Sequence, residues 1–486
     1  MTSVQISDVV RILPEIILAG FAILVMVFES LVPAGRKRVL GWLALAGVLA
    51  AGTAFTWSPP TAGLAFGGSI AGDNFSLFFI FLFLTIAALT LLGSMDYLER
   101  DNIQHGEYYA LVLFATSGMC FMASSSDLIM IFIGLEISSL STYVLAGFKR
   151  HDARSNESAM KYFLLGSFAT AFLLYGIAFV YGLTGTTNLM DVRSRFATPG
   201  DWSMGALAAL LLMFIGLAFK VSTVPFQIWT PDVYQGAPSP VTAFLSTGPK
   251  AAAFAVLVRV FLGAAGTSGQ SAFWLLWISA ALTMTVGNFA ALRQTNVKRM
   301  LAYSAIAHAG YLLVGLAAGM ASGNPEATSS VLFYLAAYAF MNVGAFLLVA
   351  HLAGDNEQRT EISDFTGLGR SCPGVAAVLT VFMLSLSGIP ATAGFFAKFY
   401  VFRASVHAGL IGLTIIAVLN SVVSVYYYLS VVVTMYMREG KPEATAPQMP
   451  LPLYAALAAS LFAVFYLGLY PNHFLMLAIS SAKPLP

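Results

Sequence analysis

The chain has 486 residues, 58% of them hydrophobic and only 9% charged, with a mean hydropathy of +0.81 and a formal net charge of +2. Soluble domains carry about 25% charged residues, so the composition excludes a water-soluble globule. The near-neutral balance argues against nucleic-acid binding, which needs a concentrated basic face, and Cys120 and Cys372 are too isolated for a disulfide framework or an iron–sulfur site.

A helix needs roughly 20 apolar residues to cross a bilayer. Suitable runs fall at 12–33, 39–57, 73–95, 107–124, 126–147, 156–184, 206–234, 240–266, 272–292, 299–320, 328–352, 374–403, 408–437 and 451–472. They predict an all-α integral membrane protein of about fourteen transmembrane helices, because helices satisfy their own backbone groups in lipid. The first run follows neither a basic segment nor a small-residue cleavage site and reads as a retained helix. The polar stretches 185–205 and 353–373 read as loops.

Lysine and arginine favour cytoplasmic loops. With the N-terminus outside, the cytoplasmic segments hold Arg36, Lys37, Arg38, Arg100, Lys149, Arg150, Arg154, Arg293, Lys298, Arg299, Arg359, Arg370, Arg438 and Lys441. The outer ones hold only Arg11, Arg193, Arg195, Arg403 and Lys483. Both termini are therefore expected on the periplasmic side.

The first three runs, within 1–105, carry no charge at mid-membrane depth by this reading. The fifth run holds Glu136 near its centre, too far from either end to snorkel. Lys161 lies near the cytoplasmic end of the sixth, where snorkelling competes with function. Lys220 sits inside the seventh, five residues before Pro225, and Lys250 inside the eighth. Arg259, later in the eighth run, is expected to reach the interface. His308, in the tenth run, falls between the lysine-bearing breaks, where a proton relay needs a titratable group. The twelfth run holds Gly388, Pro390 and, eight residues after the proline, Lys398. The Tyr426–Tyr428 cluster reads as packing or an interface belt, and Lys298 and Arg299 as a cytoplasmic helix start.

A charge at the bilayer centre costs about 2.5 to 3.5 kcal/mol on insertion scales, so such residues mark ion pathways. Proline removes a helix hydrogen bond, and broken membrane helices are tolerated where they line an enclosed or hydrated cavity. The two breaks lie five predicted helices apart. That spacing predicts two inverted five-helix repeats, helices 4–8 and 9–13, a recurring transporter design. The expected division is 1–105, 106–266, 267–437 and 438–486. Burial disfavours a charged amine and a nearby carboxylate favours it, so lysines held between the two exchange protons readily. With Glu136 the only central acid in this reading, a chain of such sites joined by water would carry protons.

Three segments bring a known family into view. LAFKVSTVPFQIWTPDVYQGAPSPVTAFLSTGPKAAAFAVL, KRMLAYSAIAHAGY and SGIPATAGFFAKFYVF resemble the antiporter-like proton-pumping membrane subunits of respiratory complex I, type I NADH:quinone oxidoreductase. The opening LPEIILAGFAILVMVFES and the lysine at the twelfth-helix position resemble subunit N, and only about fourteen residues follow the last run. The resemblance implies fourteen helices with the two inverted repeats. It also implies that Glu136 pairs with Lys220, Lys161 modulates that pair, Lys250 is the central relay and Lys398 the outlet-side site. NADH, FMN, iron–sulfur clusters and quinone would belong to other subunits, leaving this chain without cofactor or metal. Its partners would be a neighbouring antiporter-like subunit, small membrane subunits and the lipid of a bacterial inner membrane. The rival expectation is a subunit of a multisubunit sodium/proton antiporter.

Overall fold

The computed structural model describes residues 6–57, 63–196, 204–264, 270–439 and 448–483. Lys441 and the last two residues of the predicted 240–266 run lie outside them, as does part of the 185–205 stretch. The chain is helical almost throughout. It begins with a short α1 (Ile6–Arg11), α2 (Leu13–Glu29) and α3 (Arg38–Trp57), then a small antiparallel hairpin of β1 (Gly63–Ala65) and β2 (Ile70–Gly72). There follow α4 (Asn74–Arg100), α5 (Gly106–Ser124), α6 (Leu128–Ala146), α7 (Ala153–Thr184) and α8 (Leu189–Phe196). The middle comprises α9 (Met204–Val221), α10 (Trp229–Gly236), α11 (Ser239–Leu257), α12 (Gln270–Ala291), α13 (Val297–Ser322) and α14 (Pro325–Leu352). The remainder is α15 (Leu368–Ser371), α16 (Pro373–Ser387), α17 (Ala393–His407), α18 (Ile411–Met437), α19 (Leu451–Leu469) and α20 (Pro471–Ser481).

Every predicted apolar run contains a helix, and among the described residues ten helices are long and apolar enough to cross a membrane. Their boundaries are set by short polar side chains that accept the first free backbone N–H groups. Asp73 caps α4, Asp127 α6, Asp152 α7, Asn296 α13 and Asn324 α14. Several short elements escaped the sequence reading, among them α1 and, in the stretch 353–373 read as a loop, α15. The hairpin and α8 are too short for a spanning pattern, and α20 follows Tyr470 as a separate helix where only a tail was expected.

The centre of the bundle is α11, buried along its whole length, flanked by the almost equally buried α13 and α14. By contrast α7 and α18 present broad apolar faces outward, with Phe168, Tyr175, Leu419 and Val422 more than half exposed. Lysines on the central helices are thus held in protein rather than in lipid.

Arg259 corrects the expectation that it reaches the interface. It is fully buried, and its guanidinium donates to both Asp73 oxygens at 3.0 and 3.1 Å, to Ser76 Oγ at 2.8 Å and to the Ala123 carbonyl at 2.8 Å. The physical reason is the partner: Asp73, the cap of α4, is distant in sequence but offers a carboxylate. A buried guanidinium is tolerated when its charge and donors are matched this way.

Candidate proton-translocation site

Both expected helix breaks are present. The seventh run splits into α9 and α10, separated by Ser222–Ile228, where Ser222 adopts a φ of 65°. The freed groups are taken up by tertiary contacts: Trp229 Nε1 donates to the Phe219 carbonyl at 3.0 Å, and Val224 N to Thr283 Oγ1 at 3.0 Å. The twelfth run splits into α16 and α17 around Gly388, whose φ of 91° suits a residue without a Cβ. A third distortion was not anticipated. Pro249 lies inside α11 and cannot donate to the Leu245 carbonyl, to which the Tyr234 hydroxyl donates instead at 3.5 Å.

Lys220, at the end of α9, is buried with its amine 5.0 Å from each of the Tyr143 and Tyr162 ring centres. Glu136, on α6, acts on Lys220 electrostatically, but no ion pair within 4.0 Å joins them. Lys250, on α11, donates to the Ala305 carbonyl of α13 at 2.7 Å and lies 5.9 Å from the Tyr338 ring centre. Lys398, on α17, donates to the Ser387 carbonyl at 2.7 Å and to Ser421 Oγ at 3.0 Å. Ser387 is the last residue of α16, so the break presents its negative half-helix end to the amine.

His308 stands between these two lysines, and both act on it electrostatically. Its Nδ1 is 2.7 Å from the Tyr334 hydroxyl and its Nε2 3.1 Å from that of Tyr428, while its ring packs 5.0 Å from Tyr338. Tyr428 also hydrogen-bonds Ser304. Beside it, Tyr427 donates to Asn288 Oδ1 at 3.0 Å, and Asn288 Nδ2 donates to Tyr311 Oη at 3.2 Å. The Tyr311 ring centre is 5.3 Å from the Lys398 amine. His308 is therefore tied into a belt of hydroxyl and amide groups that reaches the Tyr311 ring beside Lys398, while Lys250 faces His308 across the Tyr338 ring. Tyr427 and Tyr428 correct the reading of their cluster as packing; only Tyr426 is outward-facing, at 69% exposure.

The first lysine has aromatic surroundings. Beside Lys220 stands a stack of rings, with Trp229 4.5 Å from Tyr162 and 5.0 Å from Phe219. Lys161 is farther out still. It pairs with Asp232 and Glu157, each at 2.7 Å, beside a polar cavity of about 240 Å³ lined by Glu157, Ser158, Asp232 and Gln235.

Residues outside the sequence reading matter here. Glu15, on α2, is a further buried carboxylate, 1% exposed where Glu136 is only partly buried, and it faces the Cys120–Ser124 side of α5. Lys298 stands in the first turn of α13, at the helix start expected for it, but it is buried there and pairs with Glu357 at 2.6 Å. Glu357 also accepts from the Tyr97 hydroxyl at 2.6 Å and the Ser239 backbone N–H at 2.7 Å. Lys149 pairs with Asp101 at 2.6 Å in the same network. Burial pushes the Glu357 carboxyl up, but the Lys298 and Lys149 charges outweigh it and hold it down at about 2.

A depressed carboxyl contributes stability above its unfolded value of about 4.3, and that contribution is lost as pH falls through the folded value. Thermal melts of the assembled protein should therefore lose stability between pH 4.5 and 2 through this group. Glu357→Gln should remove that component and cost about 3 kcal/mol at neutral pH by leaving Lys298 unpaired. Unchanged melts at both pH values would discount the network.

Residues 125–424 match a family described as NADH:quinone oxidoreductase/Mrp antiporter, transmembrane. The chain is 49% identical over 481 residues to NADH-quinone oxidoreductase subunit N 1 of Solibacter usitatus, covering 99% of this chain and 98% of the relative. It is similar to a chain of respiratory complex I from Thermus thermophilus, with a TM-score of 0.81 and 36% identity, covering 96% of this chain and 99% of that one. The fold is also shared with a chain of the Mrp complex from Dietzia, with a TM-score of 0.82 at 22% identity over 97% of each chain.

Proposed function

Because the chain belongs to the NADH:quinone oxidoreductase/Mrp antiporter transmembrane family, we propose that protons cross it along Glu136, Lys220, Lys250, His308 and Lys398. The chain is a multi-span, proton-translocating membrane subunit of an NADH:quinone oxidoreductase, and its partners are the other subunits of that complex. The observation that carries the proposed path is the buried hydroxyl belt around His308, with Lys250 beside its Tyr338 ring and Lys398 beside its Tyr311 ring. Each member binds or releases a proton, and hydroxyls between them pass it on. Glu136 sets the proton affinity of Lys220 through its distance, and Lys161 with Asp232 forms the rim on that side.

In this reading 106–266 and 267–437 are the two inverted copies, following the helices of 1–105, and 438–486 holds the last helix and the tail. Each copy contributes one lysine at a break. NADH, FMN, iron–sulfur clusters and quinone belong to other subunits. Both termini face the periplasm of a bacterial inner membrane, on the rule that lysine and arginine collect inside.

Glu136→Gln tests the pair. It keeps shape and removes charge, and should slow proton uptake by the assembled complex several-fold, by analogy with the loss of a positioned acid. Uptake measured in vesicles should fall while NADH oxidation by an artificial acceptor, which bypasses the membrane arm, stays constant. Equal uptake in wild type and variant would remove Glu136 from the path. Purification of NADH-oxidising subunits with this chain separates the reading from the antiporter alternative, whose partners would be small membrane proteins.

A further inference from the structure

Lys250 faces His308 across the Tyr338 ring, and a relay of buried groups has to be refilled from an aqueous face. The Glu357–Lys298 network lies at one end of α11, because Glu357 accepts from the N–H of Ser239, the first residue of that helix, and Lys298 donates to the Ala237 carbonyl just before it. From there Ser239, Thr242, Ser246 and Lys250 recur at intervals of three, four and four residues, which puts them on one face of α11. All four are essentially buried. The stretch from Ser239 to Lys250 rises about 16 Å, roughly half of a bilayer core of about 30 Å.

The facing helices carry matching polar groups. On α14, Asn342 and Tyr338 are one turn apart; Asn342 Nδ2 donates to Ser246 Oγ at 2.6 Å, and the Tyr338 ring lies beside both Lys250 and His308. On α13, Lys298 and Ala305 are seven residues, or two turns, apart, and Ala305 is the carbonyl that receives the Lys250 amine.

Three atoms on this stripe are anomalous. Ser239 Oγ, Asn342 Oδ1 and Tyr338 Oη are buried and find no hydrogen-bond partner among the described residues. Buried polar atoms are nearly always satisfied, by protein or by water. Three in succession along one stripe, between an ionic mouth and a buried amine, are suited to hold a file of water.

We propose that the proton reaching Lys250 enters beneath the Glu357–Lys298 pair and travels along water held by Ser239, Ser246, Asn342 and Tyr338. This inlet rests on the reading that protons cross through Lys250. In the conformation seen, the pair closes the mouth. Asn356 and Glu357 both have φ above 50°, a left-handed backbone that side chains adopt reluctantly, so the closure is held under local strain. Opening moves the Lys298 amine away from the carboxylate, and a proton then shifts from one water to the next without any covalent change to the protein.

The test uses substitutions that delete an unpartnered hydroxyl. Removing a buried hydroxyl that bonds nothing leaves stability unchanged or raises it, so a purely structural stripe predicts full activity. Tyr338→Phe and Ser239→Ala in the intact complex are instead expected to lower proton uptake into vesicles about threefold each, and the double variant further. Electron transfer to quinone should fall in parallel, while NADH oxidation by an artificial acceptor stays at the wild-type level. Lys250→Ala, run alongside, is expected to block uptake. Wild-type uptake in the double variant, with Lys250→Ala blocked, would overturn the inlet and leave the pathway standing. Wild-type uptake in Lys250→Ala would overturn the pathway and the inlet with it.

Discussion

Lys220→Ala is expected to lower proton pumping by the assembled complex about tenfold or more, and Lys220→Arg to be equally inactive. The two variants ask different questions of one position. The Lys220 amine is held over two tyrosine rings and closes no ion pair with Glu136. Truncation therefore removes a cation–π contact worth about 1 kcal/mol and relieves the cost of burying an amine, so the subunit should still assemble. Arginine keeps the cation over the rings but stays protonated at every accessible pH. If Lys220 only placed a positive charge at the break, arginine would rescue pumping. If it binds and releases a proton, arginine cannot. Dye-reported acidification of vesicles, normalised to artificial-acceptor NADH oxidation, distinguishes the cases, and wild-type pumping by Lys220→Arg would end the case for a titrating site.

Much of this site was legible in the sequence because the bilayer makes charge expensive. Glu136, Lys220, Lys250 and Lys398 interrupt runs of apolar residues, and Pro225, Gly388 and Pro390 mark the breaks by their backbone chemistry. The hydroxyl belt was not legible in the same way. A tyrosine or serine in a membrane helix is inexpensive whether it faces lipid, packs in the core or joins a hydrogen-bond chain. Tyr426, Tyr427 and Tyr428 are adjacent in sequence, yet one points outward and two point to the site. The ionic partners were hidden for another reason. Asp73 with Arg259, and Glu357 with Lys298, join residues 186 and 59 positions apart, so their pairing is a product of tertiary packing alone.

The same logic explains why the aromatic stack beside Lys220 escaped notice. Tyr162, Phe219 and Trp229 come from α7, α9 and α10, and any one of them reads as ordinary core. Together they form an aromatic wall beside the Lys220 amine at the first break. The stack rests on the break, with Trp229 bonded to the Phe219 carbonyl, so movement of the half-helices necessarily moves the rings.

Gly394→Ala, at the second break, is expected to remove the subunit from the assembled complex almost entirely. Gly394 opens α17 against the end of α16, and its N–H donates to Ser385 Oγ at 3.2 Å. A Cβ at this position would fall inside the contact radius of the Ser385 carbonyl oxygen and meet Met341 Sδ at 3.0 Å. Methionine can swing aside; a backbone carbonyl at the end of a helix cannot, so α16 and α17 would have to part. They are confined from the other side by α19, where Gly468 already lies against the backbone of Ala391 and Thr392. Clashes that only a backbone shift relieves fall in the class costing about 4 kcal/mol or more. Lys398 sits one turn beyond Gly394, and its bond to the Ser387 carbonyl spans the gap that would widen. Native gels of solubilised membranes should therefore show little intact complex, and any remnant should pump poorly. Ser385→Ala, which deletes only the hydroxyl, should assemble well because it leaves that close approach intact. A Gly394→Ala complex of wild-type abundance would mean that the two half-helices are not locked, and that the second break is a loose joint rather than a fixed seat for Lys398.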